Sequence, residues 1–438
     1  MRRPYREIAP FVSPFSAEED PGLTLRDSLN RRWMRVAAAL VISIALVACR
    51  ADEPDLPTPT PGTAESSQPN LLSLARGAAV TTRTGELRLD ASALHAIDDD
   101  PATSWTTPPR DPAHMMVIAL PARSMIEQVG VTIARGEAPG SVLFERSVDG
   151  QTFTPLGTVQ LIDPSRPEFL NVPPSEASSL RVTIQEGTEK TVAIASLYAS
   201  GTETAEYIPP VFEGSWQING RDARFVQEGI RIRGDVAAEP PIHIEGAWIE
   251  RSFRFLYMRG NEYGFGALVV SPDGRSLNGM TWYHKITPIH AAPAWFGEKT
   301  GDESSGPGDH QVMDRWLERS GSVPLFGIVF DTEGDIRTEA SEQSLRWLAS
   351  RISRSGSGSL SLIRRILEPA AADSVRGTAT RQLDSLRSEL VRRGVDVARV
   401  RFDVVGPDDL EQVPQKRLER EMLTSVELRL SPAKDVAR

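Results

Sequence analysis

Few residues in this chain have the types and spacing to do covalent chemistry. The sequence holds one cysteine, Cys49, so neither an internal disulfide nor a Cys-based zinc site can form. Arg31, Arg32 and Arg35 precede an apolar run from Val36 to Val47, and Ala48 stands directly before the cysteine. That is the layout of an exported, processed segment. No Gly-x-Ser-x-Gly elbow, His-Glu-x-x-His pair, phosphate loop or Gly-x-Gly-x-x-Gly after a strand occurs, and nothing pairs a nucleophile with a base, so a non-catalytic protein is expected. A second chemistry is stacking. Trp248, Trp282, Tyr283, His284, His290 and Trp295 fall close together, and aromatic faces of this kind line sugar or apolar-ligand sites or else fill a core. The two histidines, six apart, are poorly spaced for a metal.

The elements around Cys49 decide between an anchor helix and a cleaved signal. A spanning helix needs about 20 apolar residues to cross roughly 30 Å of hydrocarbon. The run before Cys49 is shorter and contains Ser43. Leu46-Val47-Ala48-Cys49 resembles the lipobox of bacterial lipoproteins. The resemblance implies that Cys49 is the first mature residue, lipidated, and that residues 1–48 are a leader and signal segment lost on maturation. The polar, proline-containing stretch before Arg31 fits either a start near Met34 or a long leader with twin-arginine character. Arg50 stands where the family's inner-membrane retention signal is Asp, which implies an outer-membrane lipoprotein facing the periplasm, with surface exposure left open.

Composition is that of ordinary globular material: 438 residues, 40% hydrophobic and 25% charged, enough for two or three domains. A net charge of −10 argues against a nucleic-acid partner, which needs a basic surface to displace phosphate counterions. After Cys49, residues 50–69 are rich in proline and nearly devoid of apolar side chains, so 49–69 is expected to be an extended tether.

Residues 70–203 alternate with period two through Met116–Leu120, Val129/Val131/Ile133, Val142/Phe144, Leu180/Val182/Ile184 and Val192/Ile194, the pattern of an all-β sandwich. Asn70-Leu71-Leu72, the segment Ala96 to Trp105, and Ser147-Val148-Asp149-Gly150-Gln151-Thr152-Phe153 resemble the discoidin or coagulation-factor type C family, a galactose-binding-like jelly roll. The resemblance implies a ligand, such as a sugar, a lipid or a protein, held by loops at one end. It also implies a calcium loop at Asp98, Asp100 and Thr103, because a hard cation takes six to eight oxygens and adjacent carboxylates supply some of them. Ser196 stands near where relatives often carry a glutamate. The same residues fit a structural role in which Asp98 and Thr103 bond their own loop above Trp105.

Residues 206–297 form a second β-rich block, expected to be a small antiparallel meander or partial barrel that loosely resembles lipocalin-like modules. Glu213-Gly214-Ser215-Trp216 returns as Glu245-Gly246-Ala247-Trp248 and, more loosely, as Gly279-Met280-Thr281-Trp282. Residues 298–320 are polar and glycine-containing and are expected to be a linker.

In residues 321–432 the apolar run Leu325–Phe330 is expected to be a buried strand, followed by a helix through Leu345, Leu348 and Ile352, a strand within Ser359–Leu367, a second helix ending at Gly394, and strands at Val400–Val404 and Val426–Leu430. This is an α/β pattern. Phe326–Arg337, Leu390–Asp396 and Ser425–Leu430 resemble an OmpA-like C-terminal domain. The resemblance implies peptidoglycan binding by a carboxylate after the second strand and an arginine on the second helix. Gln382 takes the arginine's position, so Arg381, one residue along, and Glu368 or Asp373 are the candidate ligand residues. The function expected from the whole is a lipid-anchored envelope protein that binds glycan or cell wall without catalysis and needs no cofactor beyond a possible calcium. The alternative is an envelope scaffold holding partner proteins.

Overall fold

The structure, a computed structural model, describes residues 60–62, 68–87, 91–109, 114–134, 140–161, 166–185, 191–283, 294–302, 306, 308, 310–355, 360–367, 372–406, 420, 422 and 424–430. Cys49, and the signal reading built on it, lie outside these residues.

Alternation with period two buries one face of each strand, and the first module follows it. Its strands are β1 (Thr60–Gly62), β2 (Ala79–Arg83), β3 (Trp105–Thr107), β4 (Met115–Ile133), β5 (Ser141–Ser147), β6 (Thr154–Gln160), β7 (Glu168–Ile184) and β8 (Val192–Glu203). Across the sheet they run β3-β8-β4-β7-β5-β6, with β2 beside β4 and β1 beside β7. β4 and β7 are long because each serves two layers. Met115–Ala119 of β4 pairs with β2 and the last part of β7; the register breaks around Pro121, and from Ser124 onward β4 pairs with the first part of β7 and with β8. The folded-over sheet makes a β-sandwich on Trp105, Phe144, Leu180, Val182, Ile194 and Leu197, all buried.

The second module closes completely, where the sequence suggests only a meander or partial barrel. Its strands are β9 (Gly214–Ile218), β10 (Arg221–Glu228), β11 (Arg231–Val236), β12 (Ile242–Ile249), β13 (Ser252–Arg259), β14 (Glu262–Val270), β15 (Ser276–Tyr283) and β16 (Ala294–Gly301). Consecutive antiparallel pairing ends with β16 on β9, where Gly297 meets Ile218. Closure removes both exposed edges. Coiling the sheet this tightly needs close backbone approaches, and at Gly246 and Gly279 a Cβ would collide with the carbonyl oxygens of Arg254 and Ala267.

The third module begins with α1 (Val312–Ser320), then β17 (Ser322–Leu325), α2 (Thr338–Arg354), β18 (Leu360–Arg365), α3 (Ala372–Arg392), β19 (Val400–Val405) and β20 (Val426–Leu430). Its sheet runs β17-β20-β18-β19, with β18 and β19 parallel and the other pairs antiparallel. Two expectations change here. β17 ends at Leu325, because Gly327 and the turn in which Ile328 N donates to Leu325 O divert the apolar run, which returns as a single bridge between Phe330 and Ile336. The segment read as a linker is partly structured: β16 extends to Gly301, and α1 buries Val312, Trp316 and Leu317.

The barrel stands between the other two modules and touches both. Asn278 Nδ2 donates to Val80 O at 2.8 Å and Asn278 Oδ1 accepts from Val80 N at 2.6 Å, so one side chain pairs with the β2 backbone. Arg251 forks onto both oxygens of Glu203 at 2.6 Å, and Arg83 lies 3.4 Å from the centroid of the Phe296 ring. Toward the third module, Trp316 of α1 meets Tyr263 edge-on at 5.0 Å, and Arg319 donates to Gly260 O.

Candidate functional site

In the sandwich, the strand ends Arg83, Thr107, Met115, Ile133, Ser141, Gln160, Ile184 and Val192 gather at one end. Connections 108–114, 134–140, 161–167 and 185–191 leave from there. Two hydrogen bonds join the layers at this end, Leu87 N donating to Thr106 O and the His114 ring nitrogen Nε2 bonding Pro108 O at 2.8 Å, while Ile184 N to His114 O and Ala134 N to Ala193 O extend the ladders within each layer. Several residues of these connections lie outside the described ones.

Asp98, Asp100 and Thr103 lie away from that end, in the loop that precedes β3. Asp98 is buried and its oxygens accept from the Thr103 hydroxyl at 2.9 and 3.0 Å and from Asp100 N at 3.0 Å. Asp100 Oδ1 accepts from Ala102 N, and Thr103 also donates to Asp100 O. Asp99 sits at φ 58°, and the Ser73 hydroxyl donates to its carboxylate. These are turn-closing bonds, with Trp105 fully buried in the adjoining strand. Ser196, at the place of the relatives' glutamate, is buried in β8.

The barrel aromatics divide by parity. Trp248 and Trp295 point inward and pack with Phe212, Trp216, Phe225, Phe253 and Phe255, so they form core and not a mouth. Trp282 points outward, stacks on Phe265 at 5.9 Å and is buried in the larger core. The tryptophan repeat therefore does not keep its phase: Trp216 and Trp248 are interior, Trp282 exterior. Neither the Tyr283 side chain nor His284 and His290 fall among the described positions.

In the third module a cleft of about 580 Å³ opens where β18 ends and α3 begins, lined by Arg364, Arg365, Ile366, Leu367, Ser374, Val375, Thr378, Ala379, Gln382, Arg420 and Thr424. This is the carboxyl end of the parallel pair, where α/β sheets present ligand sites. Arg364 enters from the strand and its Nε donates to Gln382 Oε1 at 3.0 Å. Burial, and after it the nearby charge of Arg254, lowers the Arg364 guanidinium to about 10. Arg365 is ion-paired with Glu427. Burial raises the Glu427 carboxyl, but the Arg365 and Arg429 guanidinia more than reverse that and hold it below its ordinary value.

The sequence candidates are separated by this geometry. Gln382 lines the cleft, whereas Arg381 is exposed, outside the lining, beside Gly334 and within 3.4 Å of the Thr378 hydroxyl. Successive helix residues differ by about 100°, which turns Arg381 away. Glu368 and the Asp373 side chain lie outside the described residues. Arg364, Arg365 and Arg420 all line the cleft, and Arg364, which sequence reasoning overlooked, is the one bonded to Gln382. Its signal was the pair of arginines that closes Leu360–Ile363; among the described residues the second is ion-paired, with Glu427.

No protein-family model matches the chain, and no curated protein matches it. Among solved structures the chain is similar to the C-terminal domain of a chitobiase from Bacteroides fragilis, at 24% identity over 30% of this chain and 96% of that one, with a TM-score of 0.27. It is also similar to CpGH89CBM32-5 from Clostridium perfringens, solved with GalNAc-β-1,3-galactose, at 18% identity over 30% of this chain and 100% of that one, TM-score 0.27. A third similar structure is CBM32-3 from a family 31 glycoside hydrolase of Clostridium perfringens, at 18% identity over 29% of this chain and 93% of that one, TM-score 0.27.

Proposed function

We propose that this is a non-catalytic cell-envelope protein, anchored by lipid on Cys49 at the outer membrane. In this reading it binds cell-wall material through its OmpA-like α/β module and glycan through the loop-bearing end of its galactose-binding-like sandwich. The observation that carries the reading is Arg364, a guanidinium held in a cleft at the carboxyl end of β18 with Gln382 beside it. A charge kept partly out of water is costly unless a counter-charge arrives, and a carboxylate-bearing peptide such as that of peptidoglycan supplies one in fork geometry. The barrel, filled with aromatic side chains, serves as the rigid spacer between the two binding modules.

The test is retention on insoluble sacculi of the chain produced without residues 1–49, which removes both the lipid and the apolar segment. Wild-type side chains in the cleft should give retention that falls at least tenfold with Arg364→Ala and is unchanged with Arg381→Ala. A chain that is not retained at all, and that binds nothing on a glycan panel, would replace this reading with that of a scaffold for envelope proteins.

A further inference from the structure

Asp235 and His243 are direct partners across β11 and β12. Ile232 and Val236 on the first strand, and Ile242 and Ile244 on the second, face the barrel interior, so both polar side chains point outward. His310 comes from a different part of the chain, two residues before α1. His243 Nδ1 lies 2.7 Å from Asp235 Oδ1 and His310 Nε2 lies 3.1 Å from Asp235 Oδ2, so one carboxylate receives both rings, one on each oxygen. The rings are stacked at 3.7 Å and tilted 25° from parallel. The three ligand atoms all lie within 4.8 Å of one another, on side chains that are half-buried.

We propose that Asp235, His243 and His310 bind one divalent cation of the zinc class, with water at the fourth position, fastening the barrel to the segment that leads into α1. Two imidazoles and a carboxylate suit a borderline cation better than the hard cations, which prefer oxygens throughout. Tetrahedral zinc, with bonds of about 2.0–2.1 Å, separates its ligand atoms by roughly 3.4 Å. From 2.7 Å the His243–Asp235 pair must widen by about 0.7 Å and from 3.1 Å the His310–Asp235 pair by about 0.3 Å, within a set of ligand atoms that already lies inside 4.8 Å. The imidazoles must splay beyond their 25° tilt so that both lone pairs aim at one point, and His310, on a connecting segment, can supply that rotation. Each neutral imidazole would offer the ion the nitrogen that faces Asp235 and carry its proton on its other ring nitrogen, and the carboxylate offsets half of the ion's charge. Arg224, opposite Asp235 on β10, is the neighbouring cation that weakens the site.

The experiment uses the full chain, purified without a histidine tag and stripped with chelator, and titrates it with zinc chloride alone at pH 7.5. Dialysis with elemental analysis should find one zinc per chain, at sub-micromolar dissociation constant by calorimetry, with a rise in Tm. His243→Gln, His310→Gln and Asp235→Asn should each weaken uptake at least tenfold. His310 lies outside every sheet and helix, so His310→Gln is expected to leave the metal-free Tm unchanged. Uptake well below one ion per chain, or equal uptake by the triple variant, overturns the proposal.

Discussion

Gln382 accepts a hydrogen bond from Arg364 across the cleft between α3 and β18, at 3.0 Å. A residue without charge on the helix thus holds a cation supplied by the strand. That arrangement uses one of the five guanidinium donors.

Because the Arg364 guanidinium is lowered to about 10, its charged form is disfavoured in the folded state. For a base whose folded value lies below its unfolded one, the unfolded chain binds more protons between the two, so stability rises with pH above about 10, toward the ordinary arginine range. Arg364→Met, which keeps the volume and removes the charge, should therefore hold or raise Tm at pH 7 while lowering retention on sacculi at least tenfold. A variant with a clearly lower Tm would mean that the arginine is structural.

The Arg251 fork holds the Glu203 carboxyl below its ordinary value, against the upward effect of burial. An acid lowered on folding contributes stability that is present above its unfolded value near 4.5 and is lost as pH falls through the folded value. Arg251→Ala should cost about 1–3 kcal/mol at pH 7 and loosen the sandwich from the barrel. Urea unfolding would then show two steps where the parent shows fewer. Glu203→Gln should flatten the loss of stability below pH 4.5.

Phe212 is fully buried at the centre of the barrel's aromatic cluster, 4.8 Å from Phe225 and 4.9 Å from Phe253, and its carbonyl accepts from the Trp216 indole. Phe212→Ala should cost about 3–5 kcal/mol, because rings fixed on a closed sheet cannot collapse into the space left behind. Calorimetric Tm is the readout, and a change below 1 kcal/mol would show that the segment before β9 is not part of the core.

Asp98 bridges Thr103 and Asp100 N within one loop. Asp98→Ala should lower Tm by several degrees without added metal, since the buried Asp100 N loses its acceptor and the Thr103 hydroxyl keeps only Asp100 O. Calcium tests the remaining role directly: a Tm rise in the parent that vanishes in Asp98→Ala assigns the ion to this loop, and no rise in the parent leaves the loop closed by its own hydrogen bonds.

For the anchor, Cys49→Ser should leave an unprocessed precursor that takes up no labelled fatty acid. Parent protein that fractionates without lipid would overturn the lipoprotein reading.

Much of the architecture could be read from the chain because it depends on local pattern. Val129, Val131 and Ile133 alternate and become one face of β4, and Leu345, Leu348 and Ile352 recur at helical spacing and become the buried side of α2. The boundaries that failed did so where a turn competes with an apolar run, as at Gly327, or where a short helix is amphipathic inside polar surroundings, as with Trp316 and Leu317 of α1.

What the sequence determined by itself was periodicity: two successive all-β blocks, then alternating helices and strands, because burial of one face is encoded residue by residue. Only the tertiary structure decided closure and convergence. Whether β16 reaches β9 depends on accumulated coil and register over eight strands, which no short window contains. Whether Arg364 or Arg381 enters the cleft depends on which side of β18 and α3 each one leaves. Asp235, His243 and His310 meet across 75 residues because the barrel brings two strand positions under a segment that follows it. Distances between side chains far apart in the chain are set by packing, and packing is a property of the whole fold.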